Sequence, residues 1–73
     1  RPDRTAHADP SPAVAAAVTR QIHDQSLLKR IAQTDTDWRV RLAALQRVYE
    51  QQVVEELAKT DLSPIVRQAA LVS

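Results

Sequence analysis

The sequence has no cysteine, no glycine, no methionine and no phenylalanine, with a single tryptophan, Trp38, and a single tyrosine, Tyr49. Without cysteine there is no disulfide framework and no thiolate metal site, and redox chemistry gives no compartment. Without glycine, flexible loops and phosphate-cradling turns are disfavoured. With two aromatic side chains in all, packing falls to aliphatic residues and alanine. Charge of one sign is also missing: ten basic and nine acidic residues leave a formal +1, too balanced to point at nucleic acid or a membrane surface. No apolar run approaches the ~18–20 residues of a membrane span. Seventy-three residues allow one small domain, near the size at which a single core yields only a few kcal/mol.

What the chain does have is an internal repeat at an offset of 26 residues. Residues 27–45 overlay residues 53–71, with Ala32, Thr34, Asp35, Val40, Arg41, Ala43, Ala44 and Leu45 returning as Ala58, Thr60, Asp61, Val66, Arg67, Ala69, Ala70 and Leu71. A fainter copy lies one period earlier, where Asp9-Pro10-Ser11-Pro12-Ala13-Val14 precedes Ala16-Ala17-Val18. Fixed periods of this size mark units that cannot bury their apolar faces alone and stack instead.

Each unit reads as two short helices, A and B. Ser11-Pro12, Asp37-Trp38 and Ser63-Pro64 hold the same place in the three copies. Ser or Asp there caps a helix, and proline at its first position loses no hydrogen bond. Helix B is expected over 12–22, 38–48 and from 64 to the end. Helix A is expected over 25–33 and 51–59, with Asp24 as an N-cap and Glu50 suited to the positive end of the helix dipole. Leu27, Leu28, Ile31 and Ala32 make one apolar stripe, repeated by Val53, Val54, Leu57 and Ala58. The paired alanines of helix B let helix axes approach closely. Residues 1–11 read as a degenerate first helix or a frayed arm, followed by hairpins at 25–48 and 51–73. The fold class expected is all-α, an α-solenoid fragment of about two and a half antiparallel helical hairpins. Arg1 opens the chain and Ser73 closes it inside the pattern, so it reads as a piece of a longer protein.

The run Asp35…Trp38-Arg39-Val40-Arg41…Ala43-Ala44-Leu45, echoed by Asp61…Ile65-Val66-Arg67…Ala69-Ala70-Leu71, resembles the HEAT repeat. That family carries an Asp in the interhelical turn, Val-Arg about six residues later, and small residues after it. The resemblance covers residues 9–73. The period is shorter than usual for the family, and Ala15 stands where the first copy would have its arginine. In its short period the chain is similar to compact HEAT-like arrays of bacterial proteins. Eight arginines against two lysines suit a GC-rich genome. The resemblance implies a right-handed stack of hairpins, usually a scaffold for protein partners. Some HEAT-like arrays bind nucleic acid instead, and one branch contains DNA glycosylases.

Asp35/Arg41 and Asp61/Arg67 are the sharpest polar pairs. They are expected to form a structural ladder in which each guanidinium reaches turns of its own or the next repeat. Lys29-Arg30 and Glu55-Glu56 hold equivalent positions and would face each other across the repeat junction. Trp38, whose equivalents are both proline, is a candidate partner anchor at an exposed edge, or else a cover for the neighbouring turn. Arg20, Arg39, Arg41 and Arg47 could line a basic strip on the B helices, with Arg20, Arg39 and Arg47 the candidate contacts to a partner. His7 and His23 have no metal-ligand spacing to a carboxylate. Ser11, Ser26 and Ser63 serve best as caps or surface residues, and Asp35, Asp37 and Asp61 as turn and cap residues. The functional expectation is a non-catalytic, cofactor-free protein-interaction scaffold, placed in the cytoplasm and away from membranes. Nucleic-acid binding through the B-helix arginines is the runner-up, a structural spacer the third reading, and self-association through end repeats a further expectation.

Overall fold

A computed structural model of the chain describes residues 11–73, and the expected arm at 1–11 lies outside them except for Ser11. The described residues are helical and contain no strand: α1 (Pro12–Thr19), α2 (Gln25–Thr34), α3 (Trp38–Leu45), α4 (Gln51–Thr60) and α5 (Pro64–Leu71). Helices of the two kinds each start 26 residues after their predecessor, at 12, 38 and 64 and at 25 and 51.

Side chains placed at the helix starts explain those boundaries. Ser11 Oγ accepts from the Val14 N–H at 3.2 Å, Asp37 Oδ1 from the Arg39 N–H at 2.8 Å, and Ser63 Oγ from the Ile65 N–H at 3.2 Å. Each satisfies a donor that the first turn leaves without a partner. Asp24 does the same for Ser26 and Leu27 at 2.9 and 3.3 Å. Glu50 makes no cap bond; its carboxylate accepts from Lys29 Nζ at 2.8 Å instead.

The B-type helices are shorter than the sequence suggests. Helix B expected over 12–22 stops at Thr19, the one expected over 38–48 stops at Leu45, and the last stops at Leu71. After each end the chain tightens to three-residue spacing, with Gln21 N–H to Val18 O at 2.9 Å and Arg47 N–H to Ala44 O at 2.9 Å. Such a turn ends the four-residue ladder without a glycine. The A-type helices match their expected spans to within a residue.

Packing follows from the patterns. Three-residue turns at 35–37 and 61–63 fold α2 onto α3 and α4 onto α5, while α3 also meets α1 and α5. A helix with neighbours on several sides should be apolar on several sides. Accordingly Val40, Ala43, Ala44 and Leu45 of α3 are all buried. One continuous core runs from Leu28 and Ala32 through Ala44, Leu45 and Val48 to Val54, Leu57 and Val66. The small side chains of Ala43 and Ala44 leave room for the helices on either side.

Candidate functional site

The two interhelical turns are built alike. Asp35 Oδ1 accepts from the Asp37 N–H, and Asp61 Oδ1 from the Ser63 N–H, both at 2.9 Å. An aspartate bonding two residues ahead imitates a backbone turn, which explains its recurrence at that position. Each arginine six residues later then reaches back to its own turn. Arg41 Nη1 donates to the Asp35 carbonyl at 2.9 Å, and Arg67 Nη1 to the Asp61 carbonyl at 2.6 Å.

Arg41 also reaches into the following unit. Its Nε and Nη2 donate to Asp61 Oδ2 and Oδ1 at 2.9 and 3.0 Å, a two-pronged ion pair. Both residues are buried, Arg41 to 8% and Asp61 to 7% residual exposure. The fork satisfies two guanidinium nitrogens and both carboxylate oxygens, and the bond to the Asp35 carbonyl satisfies the third nitrogen. Burial alone would push the Asp61 carboxyl up, but the Arg41 fork, the Ser63 N–H and the nearby Arg67 charge outweigh it and hold Asp61 below its ordinary value. The hydrogen bonds to Asp61 raise Arg41 in turn, despite the opposing effect of burial. Nothing comparable joins α1 to the next turn, because Ala15 occupies the arginine position.

Above this pair lies a groove of about 410 Å³ between the two turns, lined by Thr34, Asp35, Arg41, Leu57, Asp61 and Leu62 among others. Its floor carries a neutralised pair, and the Asp35 carboxylate beside that pair leaves the lining net negative. At its rim Leu62 is 90% exposed, and Ile65 stands exposed one helical turn further on.

The other candidate residues do not gather into one site. Trp38 is half-buried and packs against the core, nearer to the expected cover than to the expected anchor at an exposed edge. An indole reaches inward where the equivalent proline rings cannot. Arg39 folds back onto its own cap, donating to Asp37 Oδ1 at 3.3 Å, and its guanidinium carbon lies 5.8 Å from the Trp38 ring centre. The Arg39 N–H and guanidinium hold the Asp37 carboxyl below its ordinary value. Arg47 donates to the Arg20 carbonyl. The expected strip of Arg20, Arg39, Arg41 and Arg47 therefore loses Arg41 to the core and has Arg39 and Arg47 engaged with their own surroundings. The expected facing of Lys29-Arg30 with Glu55-Glu56 also gives way, since Lys29 takes Glu50 from the loop ahead of α4. His23 and Tyr49 are exposed turn residues.

Gln25 is a junction residue that the sequence reading passes over. Its Nε2 donates to the Arg47 carbonyl at 2.7 Å, and its Oε1 accepts from the Tyr49 N–H at 3.0 Å. One amide thus clips the start of the next unit to α2. The available signal was the return of Gln25 as Gln51 in register.

Among the described residues no helix is long and apolar enough to cross a membrane. No family model, no curated protein and no solved structure matches the chain.

Proposed function

We propose that this chain is a short HEAT-like array acting as a non-catalytic protein-interaction module, in which units of 26 residues stack into a stiff frame and a protein partner docks on the edge formed by the interhelical turns. The observation that carries the reading is the contrast at that edge. A closed, neutralised Arg41–Asp61 floor lies beside Leu62, which is almost wholly exposed. Large apolar side chains held outward on a rigid support are what interfaces bury at their centres. The pairing of buried Arg41 with Asp61 supports a structural role for the arginine row and weighs against its use as a phosphate track.

The test is affinity capture with and without nuclease, comparing the intact chain with a Leu62→Ser/Ile65→Ser variant. A specific protein retained after nuclease and lost with the variant, at unchanged thermal stability, supports the module. Retained material that disappears with nuclease, together with steeply salt-dependent binding to duplex DNA, would contradict it.

A further inference from the structure

Asp35 and Asp61 hold the same place in their turns, and each accepts through Oδ1 from the N–H two residues ahead at 2.9 Å. Their second duty differs. Both Asp61 oxygens take the Arg41 fork, which comes from the unit before. The position that would serve Asp35 in the same way is Ala15, which has no side-chain donor. Among the described residues no cationic side chain lies within ion-pair distance of the Asp35 carboxylate, and its Oδ2 accepts no hydrogen bond. Arg41 does not fill the gap, because its Nε and Nη2 hold the Asp61 carboxylate and its Nη1 holds the Asp35 carbonyl.

Asp35 lines the groove of about 410 Å³ between the two interhelical turns. With Asp61 cancelled by Arg41, its carboxylate sets the sign of the lining. Thr34 and Thr60 line the groove as well, and their hydroxyls already donate to the Arg30 and Glu56 carbonyls at 2.6 and 2.8 Å. What those two oxygens have left to offer is lone pairs. The apolar part of the lining is Leu57 and the exposed Leu62. A negative, acceptor-rich groove beside an exposed leucine repels anions and suits a cation that carries an aliphatic stem. A metal ion is the poorer match, since among the described residues no three His, Cys, Asp or Glu side chains gather to hold one. The lining comes from two units already stacked on each other. A unit added in register would repeat this groove beside it, not cover it.

We propose that this groove receives one basic side chain, arginine or lysine, from the protein partner, with its charged head on the Asp35 carboxylate and its stem along Leu62. Asp61 shows what a carboxylate in this turn takes when a guanidinium is within reach. The partner supplies to Asp35 what Ala15 does not. An acidic residue at the same point of a partner would set like charges together and be rejected. The inference rests on the interaction-module reading and deepens it: Leu62 provides contact area, and Asp35 selects for a basic residue.

The probe is the end-blocked peptide Leu-Arg-Ala-Leu, titrated into the isotope-labelled intact chain and followed by amide and side-chain carboxyl NMR shifts. The expected shifts centre on Thr34, Asp35, Thr60 and Leu62. Citrulline in place of the peptide's arginine keeps the shape and removes the charge, and should weaken binding roughly tenfold, the scale of a charge-assisted bond. Asp35→Asn in the chain should weaken it similarly, with no further loss when the two changes are combined. Asparagine still accepts from the Asp37 N–H, so the turn should survive that change. Glu56→Gln, which removes an exposed carboxylate outside the groove, should leave binding unchanged. A silent titration overturns the proposal. So does binding that Asp35→Asn and Glu56→Gln weaken equally, which would be attraction to negative charge at large. An Asp35 carboxyl signal that moves in the free chain when Arg1 and Arg4 are replaced by alanine also overturns it, since the cation would then be the chain's own. Capture that survives Asp35→Asn but not Leu62→Ser/Ile65→Ser would sink this inference and leave the module reading standing.

Discussion

Removing the Asp61 carboxylate is the most demanding perturbation of this frame. In Asp61→Ala the Arg41 guanidinium stays buried and loses two charge-assisted bonds of 2.9 and 3.0 Å. The Ser63 N–H loses its 2.9 Å acceptor as well. Breaking a buried pair on one side costs about 3–5 kcal/mol, and a neutral turn bond adds roughly 1 kcal/mol. The groove above the pair is roomy enough for water, so the lower end applies to the pair, and with the turn bond the cost is about 4 kcal/mol. At ~0.05–0.15 kcal/mol per residue, a chain this short has only about 4–11 kcal/mol to lose. The melting temperature should fall by roughly 16–32 °C, taking ~4–8 °C per kcal/mol for a domain of this size. The assay is urea unfolding followed by far-ultraviolet circular dichroism, on Asp61→Ala, Arg41→Ala and the double variant. The two changes should be strongly non-additive, with a coupling of about 2 kcal/mol. A coupling below ~0.5 kcal/mol, or an Arg41→Ala cost no larger than that of exposed Arg39→Ala, would refute the reasoning.

Acid should expose the same pair. Asp61 titrates below its ordinary value of 3.8 in the folded chain, so its contribution is complete above that value and is lost as pH falls towards the lowered one. The difference in stability between the wild type and Asp61→Asn should therefore shrink below about pH 4 in urea titrations; a difference that grows on acidification would count against it. Gln25→Ala removes a clip made of two neutral hydrogen bonds and should cost about 1–2 kcal/mol, whereas Gln51→Ala should cost under ~0.5 kcal/mol in the same unfolding assay. Leu45→Ala should cost about 2–5 kcal/mol and exposed Leu71→Ala less than ~1 kcal/mol, a contrast that equal midpoints would erase.

Much of the architecture was legible because one device repeats. Ser11, Asp37 and Ser63 are spaced identically and cap their helices, and the Asp–Arg spacing sets up turn bonds inside each unit. What the spacing leaves open is which contacts pass between units. Lys29 meets Glu50 because a loop residue can reach across where Glu55 and Glu56, fixed on α4, do not. Gln25 escaped attention because it is neutral and bonds to backbone, which leaves no complementary residue to find in the sequence. For Trp38 the sequence leaves anchor and cover both open, because its two proline equivalents mark the backbone position but not where a longer ring comes to rest. Helix ends were overextended for a similar reason, since apolar periodicity continues through Ile22 and Val48 after the backbone has tightened.

The central structural claim, that a fork from one unit locks the next in register, is best tested at the Arg41 Hε proton. A guanidinium held by Asp61 at 2.9 Å should give a separate, slowly exchanging Hε resonance at neutral pH, with a cross-hydrogen-bond coupling to the Asp61 carboxyl carbon. The account predicts that Asp61→Asn abolishes this protection and leaves Arg39 unchanged. An Arg41 Hε that exchanges as fast as that of Arg39, in the folded wild-type chain, would contradict it.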